Sequence, residues 1–463
     1  MATYQSKVGP LCYAPPSVKS TLGGVTLLSL GILCTSACIA YDGFTSVPLS
    51  LIYSGLSLLG ELLIGGGVAA ICAGCILHVA RPDAARITAV VRRRLCDPRF
   101  GNPLHLREGE ALPRVKCKDL GMKRYALTIS CASSTVEDIA AVSPAISSAL
   151  NRRYSRYAVT RTDTDIAFNH VTFIIENVTV DRSVTTDDIE VLRPGSSTKL
   201  TVDKVNFIDL TSSGHILAVG KTRSGKTTGV ISLLLQALLT GPDAYGSQVV
   251  VIDPKRAELS MCPHTVTLDN DGEASAILAA MESYVHTVVE RQSILNGRSI
   301  EKGDALHWWE AGFHPSFLFI DEFVALRSML PKKAEKGNEG YCLATFESLL
   351  KRIVTTGASA GCYVIISIAE ASVEEGGLPS MLRSAMSTRI LFRPTLEEAR
   401  LLWPPEKLEN MNTGRIYGPG DAWFSSTDGE HDNPGYVHFP RMNFPVYREL
   451  GRLLQAYYGD TPE

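Results

Sequence analysis

The chain lacks a strong charge of either sign. Its 45 Lys and Arg stand against 48 Asp and Glu, a net charge of −3. That excludes a uniformly basic, histone-like packer of nucleic acid but leaves room for a local basic groove. It also lacks a paired cysteine framework. Of its 11 cysteines, Cys34, Cys38, Cys72 and Cys75 lie inside apolar runs, where buried, reduced thiols are expected. Cys72-x-x-Cys75 has the spacing of half a zinc site, and no second pair at ligand spacing follows it.

What is present in excess is apolar sequence near the start. The chain is 45% hydrophobic with a mean hydropathy of +0.07, and the surplus sits at the N-terminus. Residues 21–41 carry no charge before Asp42, enough at 1.5 Å per helical residue to cross a hydrocarbon core of roughly 30 Å. After the polar break "DGFTSVP", residues 49–80 are apolar again with one carboxylate, Glu61, and a spanning part over about 56–80. Two spans in succession, with no small-residue cleavage site, favour a membrane hairpin over a cleaved signal peptide. Glu61 reads as an interfacial anchor or as a contact to a partner helix. Arg81, Arg86, Arg92, Arg93, Arg94 and Arg99 follow the second span, and Lys7 and Lys19 precede the first. Positive flanks stay inside, so both termini are expected in the cytoplasm.

At 463 residues there is room for two to four folding units. A cytoplasmic segment (1–20), two spans (21–80) and a basic juxtamembrane linker (81–123) are expected first. A small α+β domain over 124–203 is predicted next, from strands at 124–130, 155–161 and 166–176 and a helix over 135–152 interrupted by Pro144. Arg152, Arg153, Arg156 and Arg161 cluster there with Tyr154 and Tyr157. The group reads as a nucleic-acid contact or, more plainly, as a solvated helix end.

The sharpest motif lies in residues 204–463. "HILAVGKTRSGKTTG" places Gly220-x-x-x-x-Gly225-Lys226-Thr227 between an apolar strand and a helix that ends at Gly241-Pro242. This is the Walker A pattern, a glycine-rich loop whose N–H groups point at phosphate oxygens. Gly220, Thr222, Arg223, Ser224, Gly225, Lys226, Thr227 and Thr228 are the candidate nucleotide contacts, with Thr227 on Mg²⁺. A second strand, "QVVVID", ends in Asp253-Pro254-Lys255, and Asp253 joins the candidates. A third, "SFLFID", ends in Asp321-Glu322, a Walker B arrangement. There Asp321 would hold Mg²⁺ and Glu322 would polarise the attacking water. Further strands at 362–368 and 389–393 complete an alternation that predicts an α/β fold with a mainly parallel sheet.

"HILAVGKTRSGKT", "VIDPKRAEL", "FLFIDEFVAL" and "STRILFR", in this order, resemble the FtsK/SpoIIIE-type DNA-translocating ATPases over about residues 200–440. The Asp253-Pro254-Lys255-x-x-Glu258-Leu259 run is the most telling. With two spans and a small α+β unit in front, the layout resembles the Tcp-type coupling ATPases of conjugative elements. The resemblance implies a RecA-like motor fuelled by ATP and Mg²⁺, a homo-hexameric ring, DNA gripped through its backbone, and relaxase and transfer-channel partners. The gap between the nucleotide motifs is too short for the all-α insert of larger coupling proteins, and the chain stops soon after its last expected sheet strand, so a sequence-reading winged helix is not expected. The sequence departs from the family at Ala369, Glu370 and Ala371, where a Gln-Arg-Pro run is usual, and at Ala358-Ser359, where an arginine is usual.

The resemblance also suggests Arg389 as an arginine acting across a ring interface, with capping of the sheet edge as its structural alternative; Arg383 and Arg393 are weaker candidates. Arg327, Lys332, Lys333 and Lys336 follow Walker B, as a pore-facing loop or a merely solvated one. Trp308 and Trp309 are candidates for stacking on bases or, more simply, for packing. Three functions stand: a membrane-anchored DNA translocase serving conjugation or segregation, a protein-secretion motor, and a nucleotide-binding scaffold.

Overall fold

The computed structural model describes residue 4 and residues 16–40, 47–334, 340–369, 379–408 and 417–459. They divide into two compact units, Met1–Val180 and Asp181–Glu463.

The first unit opens with two long helices, α1 (Pro16–Ala40) and α2 (Val47–Val79). Within them Ser17–Ala37 and Ser54–Val79 are long and apolar enough to cross a membrane, by length and composition. They pack closely because glycines recur every seventh residue along the contact, Gly24 and Gly31 against Gly60, Gly67 and Gly74. A Cβ on Gly67 would lie 2.7 Å from the Leu28 nitrogen, and one on Gly24 would lie 2.7 Å from the Gly67 oxygen. Small residues let helix backbones approach where no water drives them together. Cys72 and Cys75 are exposed on this pair and Cys34 is half-buried. The expectation of buried thiols therefore fails there within the chain itself, because the glycines, not the cysteines, face the helix contact.

Helix α3 (Asp83–Cys96) buries Ile87, Val91 and Leu95, four residues apart, against an antiparallel sheet. That sheet has the order β1-β2-β4-β3, from β1 (Val115–Gly121), β2 (Arg124–Ser130), β3 (Tyr157–Thr164) and β4 (His170–Asn177). Two short helices, α4 (Val136–Ala140) and α5 (Ser143–Ala149), stand where one interrupted helix was expected. The Thr135 and Asp138 side chains close a capping box on α4, and Pro144 restarts the chain as α5.

The second unit is built on eight strands: β5 (Ile216–Val219), β6 (Val249–Asp253), β7 (Thr265–Thr267), β8 (Ser316–Ile320), β9 (Cys362–Ile368), β10 (Thr388–Phe392), β11 (Asp421–Ser425) and β12 (Gly435–His438). Their order is β7-β6-β8-β9-β5-β10-β11-β12; the first six are parallel, and β11 and β12 add an antiparallel edge. Alternate strand residues enter two cores. Val249, Val251, Phe317, Phe319, Ile365 and Ile390 pack on α6 (Lys226–Thr240). Ile252, Leu318, Ile320, Val364, Ile366 and Leu391 pack on α7 (Ser275–Lys302) and α9 (Leu343–Thr356). Burial on both faces is why these strands read as continuous apolar runs. α8 (Phe323–Met329), α10 (Ser380–Ala385), α11 (Leu396–Leu402) and α12 (Val446–Tyr458) complete the unit. Residues 181–203, expected with the small α+β domain, belong here instead: Ile189, Leu192, Leu200 and Val202 join the core beneath α6.

Candidate functional site

The carboxyl ends of the parallel strands gather the charged motifs. Val219 passes into the loop 220–225, and α6 begins at Lys226. Gly225, at φ 88°, turns the loop into the helix, a conformation that favours glycine. It also has no room for a side chain, since a Cβ would fall 2.3 Å from the Gly420 nitrogen. Phe392 closes the other side: a Cβ on Gly220 would meet its Cβ at 2.9 Å, and one on Gly229 would meet its ring at 2.6 Å. The loop is tied down by hydrogen bonds from the Gly220 N–H to the Ile368 carbonyl (3.1 Å) and from the Gly420 N–H to the Ser224 carbonyl (3.0 Å). The turn at Gly420 is itself pinned, because Asp421 accepts from the Gly418 N–H at 2.6 Å and the Tyr436 hydroxyl at 2.7 Å. Lys226 and Ser224 are buried, Thr227 is half-buried, and Thr222, Arg223 and Thr228 are exposed.

Across from the loop, β8 ends and Asp321 and Glu322 follow. Glu322 takes a left-handed backbone, φ 47°, which costs a non-glycine residue about 1–3 kcal/mol and marks a position held for a purpose. Its carboxylate is shared by two lysines: Lys226 Nζ at 3.4 Å and Lys255 Nζ at 3.2 Å. Burial alone would raise the Glu322 pKa, but the two ammonium groups outweigh it and the net shift is downward. Asp321 goes the other way. Burial raises its pKa against the pull of Lys226, with the Glu322 and Asp253 charges adding to the rise.

Asp253 acts on this cluster through its own loop. Its oxygens accept the Lys255 N–H at 3.2 Å and the Ser260 N–H at 3.1 Å, shaping the turn that presents Lys255. Burial outweighs those amide bonds and leaves its pKa raised. Lys255 was not singled out from the sequence, although it stands in the Asp-Pro-Lys run. Phe392 and Gly420 gave no signal, because their role is steric and arises only on folding.

The arrangement suits a magnesium-bound nucleotide. Oδ1 of Asp321 and Oγ of Ser224 are buried without a hydrogen-bond partner among the described residues, an expensive state that a ligand would relieve. Thr227, half-buried in the first turn of α6, and Asp321, buried directly after β8, are the residues expected to hold the metal, which would supply charge neutralisation on the phosphates.

Arg389 does not join the cluster. It pairs in register with Leu217, well before the loop, and its guanidinium donates to the carbonyls of Met386, Leu402 and Arg383. Burial, then Arg383, lowers its pKa. Arg383 donates to the Leu401 carbonyl at 3.1 Å. Arg393 is exposed at the carboxyl end of β10, directly after Phe392. Arg327 pairs with Glu347 at 2.6 Å, Lys332 and Lys333 are exposed, and Lys336, Glu370 and Ala371 lie outside the described residues. Trp308 is 1% exposed and packs under Gly361, so it is a core residue. Trp309 is half-buried, with His307 stacked on it at 4.4 Å.

Strand, glycine loop, helix and a distant strand-end carboxylate pair define a P-loop ATPase. The family model for FtsK/SpoIIIE matches residues 192–326. Among curated relatives, the FtsK domain-containing protein YdcQ of Bacillus subtilis is 26% identical over 152 residues, 33% of this chain and 29% of the relative. The DNA translocase FtsK of Helicobacter pylori (strain J99) is 25% identical over 250 residues, 52% of this chain and 26% of the relative. The matched part thus spans under a third of these relatives' length. Among solved structures, the pCW3 conjugation coupling protein TcpA, a monomer form with ATPγS, aligns with TM-score 0.46 and 14% identity, over 74% of this chain and 94% of that one.

Proposed function

We propose that this chain is a membrane-anchored ATPase that moves DNA, serving as the coupling protein that feeds DNA to a conjugative transfer channel. The observation that carries the reading is the meeting of Lys226, Lys255, Asp321 and Glu322 at one strand-end site, in a chain that also holds two apolar helices of spanning length. Lys226 binds the β- and γ-phosphates and leaves Glu322. Asp321 and Thr227 hold Mg²⁺, and the loop amides from Gly220 to Thr228 orient the phosphates. Glu322 then accepts the proton of the attacking water. Both termini lie in the cytoplasm, the working form is a homo-hexamer, and Arg389 acts across the interface after its carbonyl partners are exchanged. Relaxase and channel proteins are the expected partners. DNA is held through its phosphates, independent of sequence.

A second reading, a nucleotide-binding scaffold with little turnover, is favoured by Ala369 and by the engaged donors of Arg389. ATP hydrolysis by the full chain, with and without single- or double-stranded DNA, separates the two. The motor reading expects stimulation by DNA that Glu322→Gln abolishes; a basal rate unmoved by either DNA overturns it in favour of the scaffold.

A further inference from the structure

The first unit contains a second concentration of unbalanced charge. A pocket of about 800 Å³ lies between α3 and the segment after α5, lined by Arg93, Arg94, Arg152, Arg153, Phe100 and Tyr154 among others. Segments almost sixty residues apart in sequence bring these four guanidinium groups together, and no carboxylate lines the pocket among the described residues. The nearest acids are largely engaged. Both Asp97 oxygens bond Arg99, which leaves Arg93 at 3.9 Å. Asp83 takes Arg153 at 3.2 Å and the Tyr154 hydroxyl at 2.9 Å. The Arg152 side chain has no partner among the described residues, and its backbone is held at φ 53°, a strained state of the kind that clusters at ligand sites. The guanidinium groups of Arg93 and Arg94 lie 5.5 and 5.6 Å from the Phe100 ring centroid.

The pocket is anchored beside the end of α2. Arg86 donates to the carbonyls of His78 and Val79 at 2.8 and 3.0 Å, tying α3 to the last turn of α2. Asp83 is four residues past Val79, within about 14 Å of it by chain reach, and Asp83 holds Arg153 and Tyr154.

We propose that this pocket binds the headgroup of an anionic phospholipid from the leaflet at which α2 ends. The proposal rests on the membrane reading given above and adds a ligand class to it. Basic pockets beside a span are suited to lipid phosphates, and arginine forks match phosphate oxygens two at a time. A nucleic acid fits less well. Tyr154 is 6% exposed, and the Phe100 ring already has the guanidinium groups of Arg93 and Arg94 within 5.6 Å of its centroid, so the pocket offers no aromatic platform of several rings for stacked bases.

The test uses the full chain. An alkaline carbonate wash of membranes comes first; release of the chain would sink the membrane reading itself, and this proposal with it. Retained chain is then purified in neutral detergent and offered equal phosphatidylglycerol and phosphatidylcholine, with bound lipid counted by native mass spectrometry. Phosphatidylglycerol should be preferred at least about tenfold, and the preference should fall about fivefold for each of Arg94→Gln and Arg152→Gln. It should hold in Arg156→Gln, which lies outside the pocket. Added salt should weaken it in the unaltered chain, a readout that needs no variant. A membrane-retained chain with no preference, or one whose preference survives both substitutions and high salt, overturns the pocket assignment alone. So does loss of single-stranded DNA binding in those variants with lipid preference intact, or retention of inorganic phosphate without lipid.

Discussion

The two ends of the eight-stranded sheet differ in a way that separates cavity size from chemistry. At the carboxyl ends, Lys226, Lys255, Asp253, Asp321 and Glu322 face one another in a tight cluster. At the opposite end a cavity of about 810 Å³ is lined by Thr211, Ser213, Ser299 and Ser387, with His307 and Trp309, and by no charged residue among those described. That space holds histidines and hydroxyls but none of the lysines and carboxylates that meet at the other end. Strand carboxyl ends splay apart and meet helix N-termini, which is why ligands of parallel α/β sheets collect there.

The comparison can be broken most sharply at Glu322. Glu322→Gln should lower ATP turnover by about 10²–10⁴-fold while nucleotide binding survives, and Lys226→Ala should lower turnover by about 10²–10³ with weakened binding. Nucleotide affinity and single-turnover rates, measured together, check both. If turnover persisted, the charged end would be no more than a structural cluster.

The opposite end should reveal itself through acid stability. His215 is buried, with Nε2 bonded to the Val354 carbonyl at 2.9 Å and Nδ1 accepting the Val364 N–H at 3.0 Å. Burial lowers its pKa from 6.5 to about 4, against the Val354 bond, which favours the charged form. Between those values the unfolded chain binds more protons, so stability falls as pH drops from 6.5 toward about 4 and levels off below. The total is of order 3 kcal/mol for this group. Denaturant midpoints across that range should show the slope, and His215→Gln should flatten it.

Lys255→Ala is expected to cost about tenfold in turnover, because Glu322 loses one of two groups that aim it. The more diagnostic readout is pH. Without Lys255 the Glu322 pKa rises, so the acid limb of the rate profile should move to higher pH; a merely structural lysine would leave that limb in place. The smallest effect belongs to the neutral cavity. Ser212→Trp, at its exposed rim, should leave turnover within about twofold.

Much of the charged end was legible in the sequence, since its parts are local. Strands 249–253, 316–320 and 388–392 fall within a residue of the apolar runs that announce them. Helix 226–240 starts at the Walker lysine and stops before Gly241. The edge strands Asp421–Ser425 and Gly435–His438 were not anticipated, because they are short and joined by a polar stretch. Lys255 was invisible as a partner of Glu322 because 67 positions of sequence separate them and only the β6–β8 pairing brings their strand ends together. Residues 181–203 were misplaced because four scattered apolar residues give no period, though all four are buried once folded.

The contact between Gly225 and Gly420 has a mechanical consequence. Backbone meets backbone there with no side chain between them, so the joint has no compliant padding. A displacement of the β11–β12 hairpin would therefore reach the phosphate loop almost undamped, so the outer edge of the sheet and the nucleotide cradle move as one piece.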